Sequence, residues 1–481
     1  MKINKVTAIK PKLKLNYKRT FIIGFAFFGI LLLWQVYDSW CPTFLTELFK
    51  EALNANKEED VQYLVGVIMA LDNLAALIML PIFGHLSDKT HTKIGKRMPY
   101  ILIGTFCCAI AFPFIPLLFH IHNLVGTISL MAIVVFFAMM YRNPAVALMP
   151  DITPKPLRSK ANSIINIMGY IGGACATLVG IIYSLSDYLG KNDSNIWRNH
   201  QGNIWIIEMP FLIASVLMIV SCLILFFTIN ENKVEEEMKN ELTEGEKEAE
   251  VNGSVEDNNT KMSKSNKITL FLILGAEFFW FMADNGIGTF MGNYTLYHLH
   301  CSSSSNMINV IVGGIGSVIG FAVGGFLANK IGRKWTIITG LSVAFLSVTI
   351  WLILSLTIKV KIPEANEYNK FPIYLYFVWF FKGLGMSFVH VNSFPMVVEL
   401  CSNKKIGKFT GFYYASSMSA QTITPIALGA LLLLPNFGFE LLPLYATICV
   451  AISFVIFFFV KNVKTQKTTI KKGLEAFDVD D

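Results

Sequence analysis

Twelve stretches of 20 or more predominantly apolar residues run through this chain, near 20–42, 61–83, 99–119, 124–148, 161–187, 203–229, 268–297, 306–329, 335–358, 371–398, 406–434 and 440–460. Each is long enough to cross a bilayer core as a helix, which satisfies its own backbone hydrogen bonds where no water can. They fall into two groups of six. The composition leaves little else open: 54% of residues are hydrophobic, only 15% are charged, and the mean hydropathy is +0.53. A soluble protein carries about 25% charged residues, so these charges are too few to cover a water-facing surface. Soluble multidomain, collagen-like, disulfide-framework and largely disordered chains are excluded on the same numbers. The expected fold is an all-α polytopic membrane protein with twelve transmembrane helices.

Basic residues set the expected orientation, because short cytoplasmic loops are enriched in Lys and Arg. With the N-terminus inside, the short cytoplasmic segments hold 25 Lys and Arg, and the opposite side holds seven. Both termini are therefore expected in the cytoplasm. The first span follows a basic stretch but is longer than a signal-peptide core, and no small-residue cleavage site follows it, so it counts as a span. The expected divisions are a first bundle (1–229), an acidic linker (230–267), a second bundle (268–460) and a cytoplasmic tail (461–481). The linker holds eleven acids and six Lys with almost no large apolar residues, and reads as a solvated segment, disordered or partly helical. Most of the eight cysteines lie inside apolar runs without a Cys-x-x-Cys pair, as small packed side chains. Cys41 and Cys301 share the expected outer face. The sequence shows no metal cluster.

The two halves repeat each other. Span 1 contains Trp34-Gln-Val-Tyr-Asp38 and span 7 contains Trp280-Phe-Met-Ala-Asp284, 246 residues on. After span 2 stand Gly84-His-Leu-Ser-Asp88 and Gly95-Lys96-Arg97. After span 8 stand Gly325-Phe-Leu-Ala-Asn329 and Gly332-Arg333-Lys334, at an offset of 241. Asp151 follows span 4 and Glu399 follows span 10, at an offset of 248. Three landmarks at nearly one spacing indicate duplicated six-helix halves.

The Gly-x-Leu-x-Asp loop with its Gly-Lys-Arg cluster resembles the signature of the major facilitator superfamily. The likeness extends over the whole chain. It implies two pseudo-symmetric bundles, a central cavity lined by spans 1, 4, 7 and 10, and gating by the loop residues Gly84, Asp88, Gly95, Lys96, Arg97, Asp151, Arg158, Gly325, Gly332, Arg333 and Glu399. Asn329 stands where the second loop would carry an acid. Asp88-Lys-Thr-His-Thr-Lys-Ile-Gly-Lys-Arg-Met-Pro99 and Arg142-Asn-Pro-Ala-Val-Ala-Leu-Met-Pro-Asp151 narrow the resemblance to the sucrose-transporter-like and glycoside–pentoside–hexuronide cation symporters. The acids those groups use in helices 2 and 4 are missing: the chain reads Ala76-Leu-Ile-Met-Leu-Pro81, and no acid lies between Gly126 and Ala147.

Ionisable residues inside a membrane are rare and costly, so each is a functional candidate. They are Asp38, Asp72, Arg142, Glu277, Asp284, Lys382 and His390. Helical rise places Asp38, Asp284 and Lys382 toward the outer mouth, and Arg142, Glu277 and His390 deeper. An outer layer pairing Lys382 with Asp284 or Asp38, and a middle layer of Arg142, Glu277 and His390, follow as expectations. A sugar presents hydroxyls and an apolar face, so its site needs carboxylates, amides and a stacking ring. Trp34, Gln35, Asp38, Arg142, Asn143, Trp280, Asp284, Asn285, Lys382 and Asn392 form the expected substrate set, with Asp72, Glu277 and His390 for ion coupling. Glycines 316, 320 and 324 repeat every four residues and are expected where spans 5 and 8 meet.

These readings favour a secondary transporter of a small polar solute, a sugar or glycoside first, driven by cation symport with H+ ahead of Na+. A proton-coupled drug or metabolite exporter and a non-transporting membrane sensor remain as alternatives. No nucleophile–base pair or phosphate loop marks an enzyme. Gly313-Gly-Ile-Gly-Ser-Val-Ile-Gly320 lies in a membrane span with no preceding strand. The expected partners are the solute, a coupling cation and the lipid bilayer, without nucleic acid, cofactor or metal, for a monomer in the plasma membrane.

Overall fold

The computed structural model describes residues 13–189, 205–253, 264–364, 367–400, 406–435 and 437–461. The first helices are α1 (Tyr17–Leu53), α2 (Gln62–Lys89), α3 (Met98–Ala111, continued after a kink by Phe114–His120), α4 (Leu124–Asp151), α5 (Arg158–Ile182) and α6 (Trp205–Thr228). A polar helix, α7 (Glu231–Gly253), follows. The second half holds α8 (Lys264–Asn293), α9 (Ser303–Ile331), α10 (Arg333–Thr357), α11 (Ile373–Glu399), α12 (Ile406–Leu432) and α13 (Leu441–Phe458).

Among the described residues ten helices are long and apolar enough to cross a membrane. The two other long helices of the second half, α11 and α12, have 27 residues each and are richer in polar groups. α11 carries Lys382 and His390, and α12 carries Tyr414, Ser417 and Gln421. Part of the linker is the regular helix α7, while 254–263 lie outside the described residues, as do the tail beyond 461 and several of the basic residues counted above, such as Lys2 and Lys404.

Helix ends follow local chemistry. The Asn16 side chain accepts from the Arg19 amide at 3.1 Å and opens α1, and Asn54 closes it in the left-handed region at φ 49°. Asn123 opens α4 by accepting from the Gly126 amide at 2.8 Å. Large apolar side chains face outward along the helices, Phe271 at 78% and Phe326 at 67% exposure among them. An exterior of that kind suits lipid rather than water.

Two apolar cores form, one in each half. The first, around Trp40, Phe44, Phe112 and Phe211, also takes in Leu296 and Met307 from the second half. The second surrounds Trp280, Tyr294, Trp351 and Phe457. The halves meet through α1 with α8, α2 with α12, and α5 with α9. The small residues of α9 do a different job from the one expected of them. Gly316 and Gly320 admit the backbone of Phe380 and Leu384 from α11, within their own half. Across the α5–α9 contact, it is Gly180 that lies against Met307.

Candidate functional site

A cavity of about 620 Å³ lies between the halves, a size that suits a small solute. One wall carries Trp34, Gln35 and Asp38 of α1, Asp72 and Asn73 of α2, and Arg142 of α4. The other carries Phe281, Asp284 and Asn285 of α8, Trp379 of α11, and Tyr414 and Gln421 of α12. Asp38 is exposed to the cavity, and Asp72 is 8% exposed. Among the described residues Arg142, Asp38 and Asp72 have no ion-pair partner. On the opposite wall the Asp284 charge is matched by two residues outside the lining: Lys382 Nζ lies 2.6 Å from Asp284 Oδ1, and His390 Nε2 lies 3.8 Å from Asp284 Oδ2. The His390 ring stacks on Phe281, with centroids 5.6 Å apart.

One end of the cavity is sealed, at the side away from the Arg97 and Arg333 loops. Asn293 is fully buried there and joins the halves. It accepts from Thr43 Oγ1 at 2.8 Å and donates to Thr46 Oγ1 at 2.9 Å and Gln62 Oε1 at 3.1 Å. Gln62 in turn donates to Thr46 at 3.1 Å. Nearby, Tyr297 donates its hydroxyl to Glu47, and Tyr368 donates to the Ser186 carbonyl at 2.7 Å. Ser186 and Ser302 hydroxyls pair at 2.9 Å. The backbones of α2 and α12 touch as well: a Cβ at Gly66 would fall 2.0 Å from the Pro425 carbonyl oxygen. Closer to the middle, Asn73 donates to the Gln421 carbonyl at 3.4 Å.

The family model for the Major Facilitator Superfamily matches residues 20–360 and again 273–479. The chain belongs to the major facilitator superfamily. Solved structures of similar fold include the xylose transporter XylE from E. coli in a partially occluded inward-open conformation. It has a TM-score of 0.61 at 13% identity, over 94% of this chain and 100% of that one. The nucleoside transporter NupG follows with a TM-score of 0.59 at 12% identity, over 91% and 98%. The peptide transporter POT in complex with alafosfalin has a TM-score of 0.60 at 13% identity, over 92% and 93%. Identities this low show the fold alone. Comparison with curated proteins finds no match.

The superfamily's loop residues gather at the other end. In the first half the Arg97 side chain, 6% exposed, forms an ion pair with Asp88 and reaches Asp151 Oδ2 at 2.9 Å and Ser87 Oγ at 2.5 Å. Its guanidinium also donates to the Gly84 carbonyl at 3.4 Å. Lys96 lies 3.3 Å from Asp151. Arg158 donates to the Pro150 and Thr153 carbonyls at 2.7 and 3.1 Å, closing the turn after α4. The second half has a smaller version: Arg333 pairs with Glu399 at 2.9 Å and touches Asn392 Oδ1 at 3.5 Å. Asn329 bonds back to the Gly325 carbonyl at 3.0 Å and adds no charge. Gly332, at φ +87°, provides the turn into α10.

Six expected site residues do not line the cavity, Lys382 and His390 reaching it through Asp284 and the other four lying elsewhere. Trp280 is fully buried in its own half, near Phe457, while Asp284 faces the cavity, although the same four-residue spacing leaves both Trp34 and Asp38 on the opposite wall. Asn143 donates to the Leu80 carbonyl at 2.5 Å and binds α4 to α2. Asn392 donates to Phe388 and belongs to the Arg333 cluster. Glu277 is fully buried, and its carboxylate has no hydrogen-bond partner among the described residues. The expected middle layer therefore does not form, since His390 joins Asp284 instead. The expected Lys382–Asp284 pair does form, inside one half. Sequence reasoning missed Asn73, Tyr414, Gln421 and the whole sealed end, whose residues are mostly uncharged. Cys41 and Cys301 are free and buried. Among the described residues no group of three or more His, Cys, Asp or Glu is placed to hold a metal.

Proposed function

We propose that this protein is a secondary carrier of a sugar or glycoside, working by alternating access with cation symport, H+ ahead of Na+. The observation that carries the reading is the cavity between the halves. It offers Trp34 and Trp379 as ring surfaces, Gln35, Asn73, Asn285 and Gln421 as amides, and carboxylates at Asp38 and Asp72. A polyhydroxylated solute uses that inventory, whereas a drug site would be more apolar. The resemblance of the Asp88–Pro99 and Arg142–Asp151 segments to the sucrose-like and glycoside–pentoside–hexuronide symporters supports it. In this reading the chain has twelve spans with both termini cytoplasmic, acts as a monomer in the plasma membrane, and is closed here at its outer end.

The roles divide by wall. Among the described residues Arg142, Asp38 and Asp72 have no ion-pair partner, so solute or cation neutralises them on binding. Asp284, held between Lys382 and His390, is the group whose partners can change when a proton arrives. Binding acts on the equilibrium between open and closed ends only as far as solute and cation favour one state over the other.

The test is uptake of a labelled monosaccharide and disaccharide panel into proteoliposomes under an imposed pH or sodium gradient, repeated with Arg142→Ala. Gradient-driven accumulation that disappears in the variant supports the proposal. Folded protein that accumulates none of the panel under either gradient rejects it. Efflux of apolar cations would then identify an exporter.

A further inference from the structure

A helix that begins at the end of a loop leaves its first amides without acceptors. α3 begins at Met98 with Arg97 as its cap residue, and the Arg97 side chain supplies no acceptor. The acceptor comes from the linker. Glu231, the first residue of α7 and 1% exposed, accepts from the Arg97 amide at 3.1 and 3.0 Å and from the Met98 amide at 3.1 Å. Burial holds this carboxyl above its ordinary range, against the opposing pull of the amides and Lys96.

The approach depends on Gly95. Its φ of +117° is available to glycine, and a Cβ there would fall 2.1 Å from Glu231 Oε2. The rest of α7 follows the same surface. Asn232 donates to the Thr92 and Lys93 carbonyls at 2.9 and 3.1 Å, and Glu235 lies 3.8 Å from Lys96. Met238 is buried and receives Arg19 Nη2 at 3.2 Å, and Gly245 lies against Pro154 and Lys155. The linker thus spans the start of α1, the α2–α3 loop and the α4–α5 loop. In the second half α10 starts at Arg333 with Gly332, at φ +87°, as its cap residue.

We infer that Glu231 is a positioning residue for Arg97. The linker carboxylate fixes the backbone from which the Arg97 guanidinium reaches Ser87, Asp88 and Asp151, and so stabilises the conformation in which that loop is folded onto its own half. The inference rests on the alternating-access reading, because the cap matters for transport only if the loop changes between states. A cap that exists in one state stabilises that state by its own worth. Losing an N-cap costs about 0.5–2 kcal/mol, which is about a two- to thirtyfold change in an equilibrium.

The experiment uses the full chain with Leu31→Cys, a cavity-lining position, labelled by a membrane-impermeant maleimide from each face of oriented vesicles. The parent without the reporter is subtracted. Glu231→Ala is expected to lower labelling from the linker side relative to the opposite side by about threefold, and to add nothing in an Arg97→Gln background. A merely structural cap would lower the melting temperature and leave the labelling ratio alone, and that result overturns the inference. Equal shifts in the Arg97 and Arg97→Gln backgrounds overturn it too, because Glu231 would then act without Arg97. If Glu231→Ala does not accumulate, Glu231→Gln keeps one carbonyl acceptor and gives a smaller shift in the same direction. The readout needs no solute, so a failed uptake panel leaves it intact. A ratio that no variant moves, including one that sterically opens the sealed end, rejects alternating access itself.

Discussion

The two ends of the cavity are held by different chemistry. At the sealed end the halves are joined by largely neutral hydrogen bonds: Thr43, Thr46, Gln62 and Asn293 form a buried network drawn from both. At the other end the strong contacts are ionic, and they stay within a half: Arg97 with Asp88 and Asp151, and Arg333 with Glu399. Neutral hydrogen bonds contribute about 0.5–1.5 kcal/mol each, net of water, so a few of them close a contact that can open again. Ion pairs made by a buried guanidinium such as Arg97 leave an uncompensated charge when broken one-sidedly, and suit joints that keep their partners. By this chemistry the contact between the halves is the weaker joint, and the loops inside each half are the firmer ones.

The comparison can be broken most directly at Gly66. Adding one methyl by Gly66→Ala drives it into the Pro425 carbonyl, and backbone cannot yield as a side chain would. Overpacking of about 1–3 kcal/mol is expected to raise labelling of a cavity cysteine from the sealed side by about tenfold. Unchanged labelling would mean that the halves do not part there. Asn293→Leu should act next, because it strands Thr43, Thr46 and Gln62. A cost of about 1–3 kcal/mol for those groups predicts a shift of the same sign and no larger. Thr43→Val, which removes one hydrogen bond, should move it least.

Two smaller effects sharpen the ionic side. Arg97→Lys gives up contacts to two carboxylates and Ser87, and Arg333→Lys gives up one carboxylate and a long contact to Asn392. The first should therefore lower the melting temperature more than the second, since lysine cannot reproduce the planar fork. Beside the cavity, Lys382→Ala alone should be more damaging to stability than Lys382→Ala with Asp284→Ala, as it leaves a carboxylate short of its partner. Should the single and double variants melt alike, Lys382 would not be what neutralises Asp284.

The legible and illegible parts of this molecule divide along the same line. Ten of the expected spans, the loop clusters and the Lys382–Asp284 pair were readable, because long apolar runs and the charges inside them stand out. The sealed end was not. The window that identifies the first span closes at 42, whereas α1 runs on to Leu53. Thr43, Thr46 and Glu47 thus looked like loop residues, and their partners Asn293 and Tyr297 carry no charge to attract notice. Trp280 misled because the repeat marks its position but not its packing: Trp34, at the same spacing from an Asp, lines the cavity, whereas Trp280 fills the core of its own bundle. Glu231 was one of eleven acids in a polar segment. Only the fold shows which of them meets a helix start.

The self-contained cores of the two halves bear on how the protein is made. Aromatic packing around Trp40, Phe112 and Phe211 comes almost entirely from residues translated before the linker. Chains are synthesised N-terminus first and fold in units as they emerge. The first bundle can therefore assemble in the membrane while the second is still on the ribosome. From the second half it takes the buried Leu296 and Met307 and the half-buried Tyr297 and Tyr368, so synthesis order places the seal between the halves after the first core.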